Sequence, residues 1–131
     1  MLFRSAAPAL VTGHPWPRGG NLRGYIATLV ILALSARRSL VAPGSWAYET
    51  LLAARPQARA WAPRVQAGFF YFIVGAHVLE VLFVALPRLR RHGVPVLSAT
   101  WCKWVFAWYV GGMYAMQHFD AVVAAGAAKK Q

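Results

Sequence analysis

Residues 67–86 read AGFFYFIVGAHVLEVLFVAL, a stretch of almost unbroken apolar character that is followed by Pro87 and three arginines. A helix over these twenty residues is ~30 Å long, which matches the hydrocarbon core of a bilayer. The sequence therefore predicts a central transmembrane helix over residues 67–86.

Two residues of this stretch, His77 and Glu80, are out of place in hydrocarbon. They are three residues apart, so a helix presents them on one face. A carboxylate at such a depth is costly and is expected to face protein or water. His77 and Glu80 are therefore the first candidates for a functional site.

The composition favours a membrane protein. Hydrophobic residues make up 59% of the 131 residues and charged residues 13%. In a typical soluble domain, about a quarter of all residues are charged. We predict one membrane domain over residues 22–122, between a flexible basic N-terminus (residues 1–21) and a flexible tail (residues 123–131).

The net charge of +11 comes from cationic residues that flank the apolar blocks. Side chains at such positions reach anionic lipid headgroups. Membrane lipids are therefore the expected partners, with another membrane protein as a second candidate, and nucleic acid is not expected because no binding motif accompanies the charge. No cofactor motif is present, and no cofactor is expected.

Two further blocks are candidate spans. Residues 22–36 read LRGYIATLVILALSA and reach only ~22 Å, which snorkelling arginines at both ends can extend; a cleaved signal peptide is the alternative. Residues 98–116 begin with the N-cap residue Ser98. The predicted fold is all-α and polytopic, with three transmembrane helices and hence termini on opposite sides of the membrane.

The connectors are polar or broken by proline. Ser45 can cap a short helix over residues 45–54 whose Trp46 and Tyr48 suit the membrane interface; a solvated loop is the alternative. The N-terminal residues hold arginines and no acid, as a mitochondrial transit segment does, but their prolines favour a disordered lead.

A partner for Glu80 follows from depth. Glu80 lies seven residues before Pro87, and Lys103 lies five residues after Ser98, so a hairpin places both ~10 Å below one surface. An ion pair between Glu80 and Lys103 is predicted.

Small residues follow Lys103 at intervals of four and form a helix-packing face that lets helices approach closely: Ala107, Gly111 and Ala115.

His77 has two interpretations. It either hydrogen-bonds a buried polar group and holds the bundle together, or it acts with Glu80 on a proton or a lipid hydroxyl. A metal site needs three or four ligands, and His118 and Asp120 leave the third helix at its far end. No metal site is expected.

Several motifs follow one another in the C-terminal half: the segments HVLE at 77–80 and RLRRHG at 88–93, the pair Lys103-Trp104, Gly112 and the pair Phe119-Asp120. In these motifs and their order, the C-terminal half resembles a family of small fungal integral membrane proteins and is similar to the animal transmembrane protein 254 family. The resemblance implies a three- or four-helix membrane protein of unknown biochemical role. This chain lacks the soluble domain of some members, so no haem or flavin role is implied.

These observations leave two functions open. The first is a non-catalytic scaffold or accessory subunit of an organelle membrane, with the endoplasmic reticulum favoured and a mitochondrial membrane as the alternative. The second is a small lipid- or sterol-modifying enzyme or carrier that uses His77 and Glu80. An enzyme requires an apolar pocket lined by both residues, whereas a scaffold packs them against Lys103.

Overall fold

The computed structural model describes residues 8–129 and is all-helical, with 77% helix and no strand in that range. The all-α prediction is confirmed. Two short helical turns, Arg38–Val41 and Tyr48–Leu52, lie between the first two helices. The main helices are α1 (Gly19–Ala36), α2 (Pro56–Arg91), α3 (Ala99–Gly111) and α4 (Met113–Ala128).

The chain divides into two compact units. The first joins the chain up to Tyr25 with the chain from His77 onward, and the second is Ile26–Ala76.

Side-chain hydrogen bonds connect the segments of the second unit. The Gln66 side-chain amide donates to the carbonyls of Leu34 and Arg37, at 3.0 and 2.9 Å. These carbonyls lie at the C-terminal end of α1, where the helix itself offers no partner. In the connector, Ser45 Oγ accepts from the N–H of Tyr48 at 3.1 Å, which is the predicted N-cap contact.

Helices α1 and α2 are both long and apolar enough to cross a membrane. In their most apolar 18-residue windows, only 11% and 6% of the residues are buried inside the protein. The core helix of a soluble protein would be mostly buried. Because α1 begins at Gly19, three residues before the predicted start, it is 18 residues long and makes up most of the shortfall in length.

Helix α2 continues past Pro87, where it was predicted to end, and runs to Arg91. Proline has no N–H, and its ring crowds the carbonyl four residues before it. A π-type turn over Val81–Ala85 widens the helix just ahead of Pro87, with the N–H of Leu86 donating to the carbonyl of Val81. This shift of the helix end by one turn changes the register of everything that follows.

The predicted third span is wrong, because residues 98–116 do not form one helix. Ser98 caps α3 as predicted, with its Oγ accepting from the N–H of Trp101, but α3 ends at Gly111 and Gly112 has φ 50° and ψ −123°. The rings of Trp104 and Phe119 are 4.9 Å apart, whereas a straight helix would separate them by ~22 Å. Helices α3 and α4 therefore form an antiparallel hairpin.

Parts of both ends that were predicted to be flexible have a defined structure. Helix α4 runs through the predicted tail as far as Ala128, whereas residues 130–131 lie outside the described residues. At the other end, the N–H of Val11 donates to the carbonyl of His92, and Trp104 Nε1 donates to the carbonyl of Gly13, both at 3.1 Å. Residues 9–13 are therefore bound to the first unit; residues 1–7 lie outside the described range.

An aromatic core fills the first unit. Trp104, Trp108 and Phe119 are fully buried together with Leu89 at the end of α2. The three aromatic rings pack edge-on or tilted, with centroids 4.9 to 6.3 Å apart, which is a favourable arrangement for aromatic pairs.

Candidate functional site

His77 contacts the end of α3. Its Nδ1 lies 2.6 Å from the carbonyl oxygen of Tyr109. A carbonyl only accepts, so Nδ1 carries the proton and donates. The normal helical partner of this carbonyl would be the N–H of Met113, which lies beyond the break at Gly112. His77 thus satisfies a backbone group that the hairpin turn leaves without its helical partner.

Glu80 lies on the same side of the turn. A Cβ atom on Gly112 would stand 2.8 Å from Glu80 Oε2 and 2.9 Å from His77 Nε2. The two side chains therefore converge on Gly112. Its positive φ already favours glycine, and the lack of a side chain leaves room for both polar groups.

The Glu80 carboxylate is only partly satisfied. Its Oε2 atom is buried and has no hydrogen-bond partner among the residues that the structure describes. It lies at the N-terminal end of α4, where the helix dipole favours a negative charge. Because His77 Nδ1 donates to Tyr109, its Nε2 atom, which lies near the same point beside Gly112 as Glu80 Oε2, is a hydrogen-bond acceptor. The two side chains therefore offer two acceptors to a hydroxyl group.

The predicted ion pair between Glu80 and Lys103 is not formed. Glu80 lies beside Gly112, nine residues beyond Lys103 and ~13 Å further along the helix axis, and Lys103 is exposed. The prediction counted depth from Pro87, whereas α2 ends one turn later, at Arg91. Within residues 8–129 the ion pair is instead Arg88–Asp120, at 2.6 Å.

The predicted helix-packing face is divided by the turn. Ala107 and Gly111 lie on α3 and Ala115 on α4, and all three are buried. A Cβ atom on Gly111 would overlap the ring of Tyr25 on α1. The small residue at 111 therefore admits an aromatic side chain from α1, not the backbone of α2.

A second polar cluster is formed by His14 and His118, whose ring centroids are 5.3 Å apart. Both rings pack on Trp104, and Tyr25 Oη lies 3.4 Å from His118 Nδ1. Burial lowers the pKa of His14, and the charge of Lys103 lowers it further. Burial also lowers the pKa of His118, with a contribution from His14.

No sequence pattern predicted this histidine pair. His14 and His118 are about a hundred residues apart, and only the reversal of the chain at Gly112 brings His118 back to Trp104. His92 also has a structural contact: its Nδ1 lies 2.8 Å from the carbonyl oxygen of Ala9. Across the described part of the chain, no group of three or more histidine, cysteine or acidic residues is arranged to hold a metal ion.

Three grooves of the first unit are lined by residues such as Leu82, Trp101 and Phe106, and neither His77 nor Glu80 belongs to the lining of these three. Comparisons with protein-family models, with curated proteins and with solved structures gave no match.

Proposed function

We propose that this chain is an integral membrane protein in which α1 and α2 cross the bilayer. The observation that carries the proposal is that both helices are apolar along their length and almost uncovered by protein. A soluble protein rarely leaves contiguous apolar surface of this kind in water. Arginines at both ends of the apolar part of α2, among them Arg64 and Arg88, suit the headgroup layers.

The α3–α4 hairpin then enters the membrane part-way and returns. Its turn at Gly112 lies against His77, the eleventh of the twenty residues in 67–86 and hence near mid-membrane. At that depth, backbone N–H and C=O groups outside a helix are tolerated only where protein or water forms hydrogen bonds with them. The hydrogen bond from His77 to Tyr109 supplies such a partner, which supports a structural role for His77.

A non-catalytic role as a scaffold or accessory subunit agrees best with this geometry. His77 donates to a backbone carbonyl of the turn, which is a structural contact, and the Glu80 side chain lies beside Gly112 in the same turn. The endoplasmic reticulum is the proposed membrane, with a mitochondrial membrane as the alternative. The resemblance to small fungal membrane proteins and to the transmembrane protein 254 family stays a prediction.

The second candidate is a lipid- or sterol-modifying enzyme or carrier. The observation that favours it is the unpartnered Glu80 Oε2 beside the accepting Nε2 of His77. A sterol or lipid hydroxyl would donate a hydrogen bond to one of these two acceptors if the hairpin turn opened.

Membrane extraction and topology mapping test the proposal. We expect the protein to stay in the membrane fraction at alkaline pH. Engineered glycosylation sites added at the two termini should both be modified or both be spared, because two crossings and a returning hairpin bring the ends to the same side. Extraction at alkaline pH would contradict the membrane proposal, and termini on opposite sides would restore three crossings.

A complementation experiment separates scaffold from enzyme. Glu80→Gln removes the negative charge, keeps the size of the side chain and replaces one acceptor oxygen with an NH2 donor. A scaffold should tolerate this change in cells that lack the endogenous protein, whereas an enzyme or carrier that needs the carboxylate should fold and yet fail to restore the phenotype.

A further inference from the structure

A groove of about 690 Å³ lies between the end of α2 and the beginning of α3. Its floor is apolar and includes Leu82, Leu86 and Trp101, and two arginines, Arg90 and Arg91, belong to its wall. The volume is within the ~300–1,000 Å³ range of small-molecule sites. The groove thus combines an apolar surface with a cationic end.

A second, narrower groove of about 350 Å³ continues along the same helices. It shares Leu82 and Trp101 with the first and extends along Val105 and Phe106. Its lining is almost entirely apolar. Together the two grooves run from the arginines at the end of α2 towards the middle of the apolar stretch of α2.

The two arginines have no acidic partner among the described residues. Arg88 is neutralised by Asp120 at 2.6 Å, whereas Arg90 and Arg91 are exposed and make no ion pair there. The other acidic side chains are used elsewhere: Glu49 accepts from the N–H of Gly44, and Glu80 faces Gly112. Guanidinium groups bind phosphate oxygens in a fork geometry, often in a bidentate manner.

We infer that this groove binds an anionic phospholipid. The phosphate lies against Arg90 and Arg91, and one acyl chain follows Leu82 and Trp101 into the narrower groove along Phe106. A lipid with net negative charge is selected over phosphatidylcholine, because the choline cation of the latter is repelled by two unpaired arginines. The inference rests on the proposed membrane insertion of α2, which would put its arginines at the headgroup layer.

Native mass spectrometry of the full chain tests the inference. The protein is reconstituted into nanodiscs of phosphatidylcholine with a minor fraction of phosphatidylglycerol, and the lipid retained after transfer to detergent is measured. We expect phosphatidylglycerol to be enriched over its bulk fraction. The double variant Arg90→Gln/Arg91→Gln should lose about tenfold or more of that enrichment.

The matched control is Arg37→Gln/Arg38→Gln, an adjacent arginine pair at the end of α1 that lines none of the described grooves. It changes the net charge equally and should keep the enrichment. Equal loss in both double variants, or no loss in Arg90→Gln/Arg91→Gln, would overturn the site.

Two further arms identify the ligand source. Leu82→Trp fills the groove without changing the charge of the protein. Because Leu82 is half exposed, the variant should still fold, and the lipid enrichment should be lost.

Excess inorganic phosphate should not displace the lipid. Displacement by phosphate would mean that the site binds a simple anion and not a phospholipid. A chain that enters nanodiscs but shows no enrichment contradicts this inference alone, whereas a chain that does not insert contradicts the proposed function.

Discussion

The two units of this chain use the same kinds of residue in opposite ways. In the first unit, Trp104, Trp108 and Phe119 are fully enclosed by protein. In the second, aromatic and aliphatic residues of comparable size remain uncovered: Phe72 is 72% exposed and Trp61 60%. Composition alone therefore does not decide burial. The first unit has a buried core, whereas the second leaves large apolar side chains mostly exposed, which lipid would cover if α1 and α2 cross a membrane as proposed.

The largest expected effect concerns the core of the first unit. Trp104→Ala should lower the free energy of unfolding by about 3–5 kcal/mol, because it leaves a cavity between α3 and α4. It also removes the Nε1 donor that binds the carbonyl of Gly13. Thermal unfolding in a mild detergent measures the effect.

Trp61→Ala in the second unit is the matched control. This side chain is mostly exposed, and its one described ring contact is with the Arg64 guanidinium at 5.4 Å. Its loss should change the free energy of unfolding by no more than about 0.5 kcal/mol. Similar destabilisation by both variants would mean that the second unit also has a protein core.

The next effect concerns the hairpin turn. Gly112→Ala places a Cβ atom at φ +50°, within 3 Å of Glu80 Oε2 and His77 Nε2. We expect a loss of about 1–3 kcal/mol, since residues other than glycine are strained in this region. The melting temperature of the purified protein reports it.

Gly75→Ala supplies the comparison, because Gly75 lies inside α2 with nothing within 4 Å of an added Cβ atom. Alanine is favoured over glycine in a helix by up to ~1 kcal/mol, so this variant should be neutral or more stable. If Gly112→Ala were equally harmless, the reversal of the chain at Gly112 would be wrong and a continuous third helix would return.

A smaller effect is expected with pH and should come from the first unit, because the second contains no histidine. The pKa values of His14 and His118 are lowered by burial below the unfolded-state value of 6.5. The unfolded chain therefore binds more protons as the pH falls. Stability should be full above about pH 6.5 and decline as the pH drops from there through the lowered folded-state values.

Melting temperatures between pH 8 and pH 5 measure this dependence. His14→Gln should flatten the decline, because it removes one of the two titrating rings and the repulsion from the other. An unchanged decline in that variant would show that the His14–His118 pair is not the source of the pH dependence.

Sequence pattern and length were enough for α1, the apolar part of α2 and the Ser98 cap, because each depends on a local run of residues. Helix α2 itself begins at Pro56 and ends at Arg91, outside both predicted bounds. The turn at Gly112 was missed because glycine is tolerated inside membrane helices. The adjacent pair Gly111-Gly112 was the available signal, and a double glycine is a common turn marker. The surrounding residues, from Trp104 to Met116, are apolar on both sides of the turn and so mask it.

In the candidate site, one error in a helix boundary caused further errors. His77 and Glu80 were identified by their chemistry alone, and both side chains do lie beside the turn at Gly112. Their partners were misassigned because a depth count depends on where α2 ends, and the π-type turn over Val81–Ala85 moves that end past Pro87. The contact of His14 with His118 requires knowledge of the whole topology of the first unit.

The smallest expected effects are those of Lys103→Met and Glu80→Gln. An ion pair in low dielectric predicts that each single change costs a few kcal/mol and that the double change restores stability. In the structure, Lys103 is exposed and Glu80 has an unpartnered Oε2 atom. Lys103→Met should therefore shift stability by no more than about 0.5 kcal/mol. Glu80→Gln should be neutral or stabilising, because it removes a buried carboxylate that no cation neutralises.

Thermal unfolding of both single variants and the double variant, measured in nanodiscs, provides the three values needed for a mutant cycle. Two destabilised single variants with a restored double variant would show that Glu80 and Lys103 do meet in a bilayer, and the register of α3 against α2 would then have to shift by more than two helical turns.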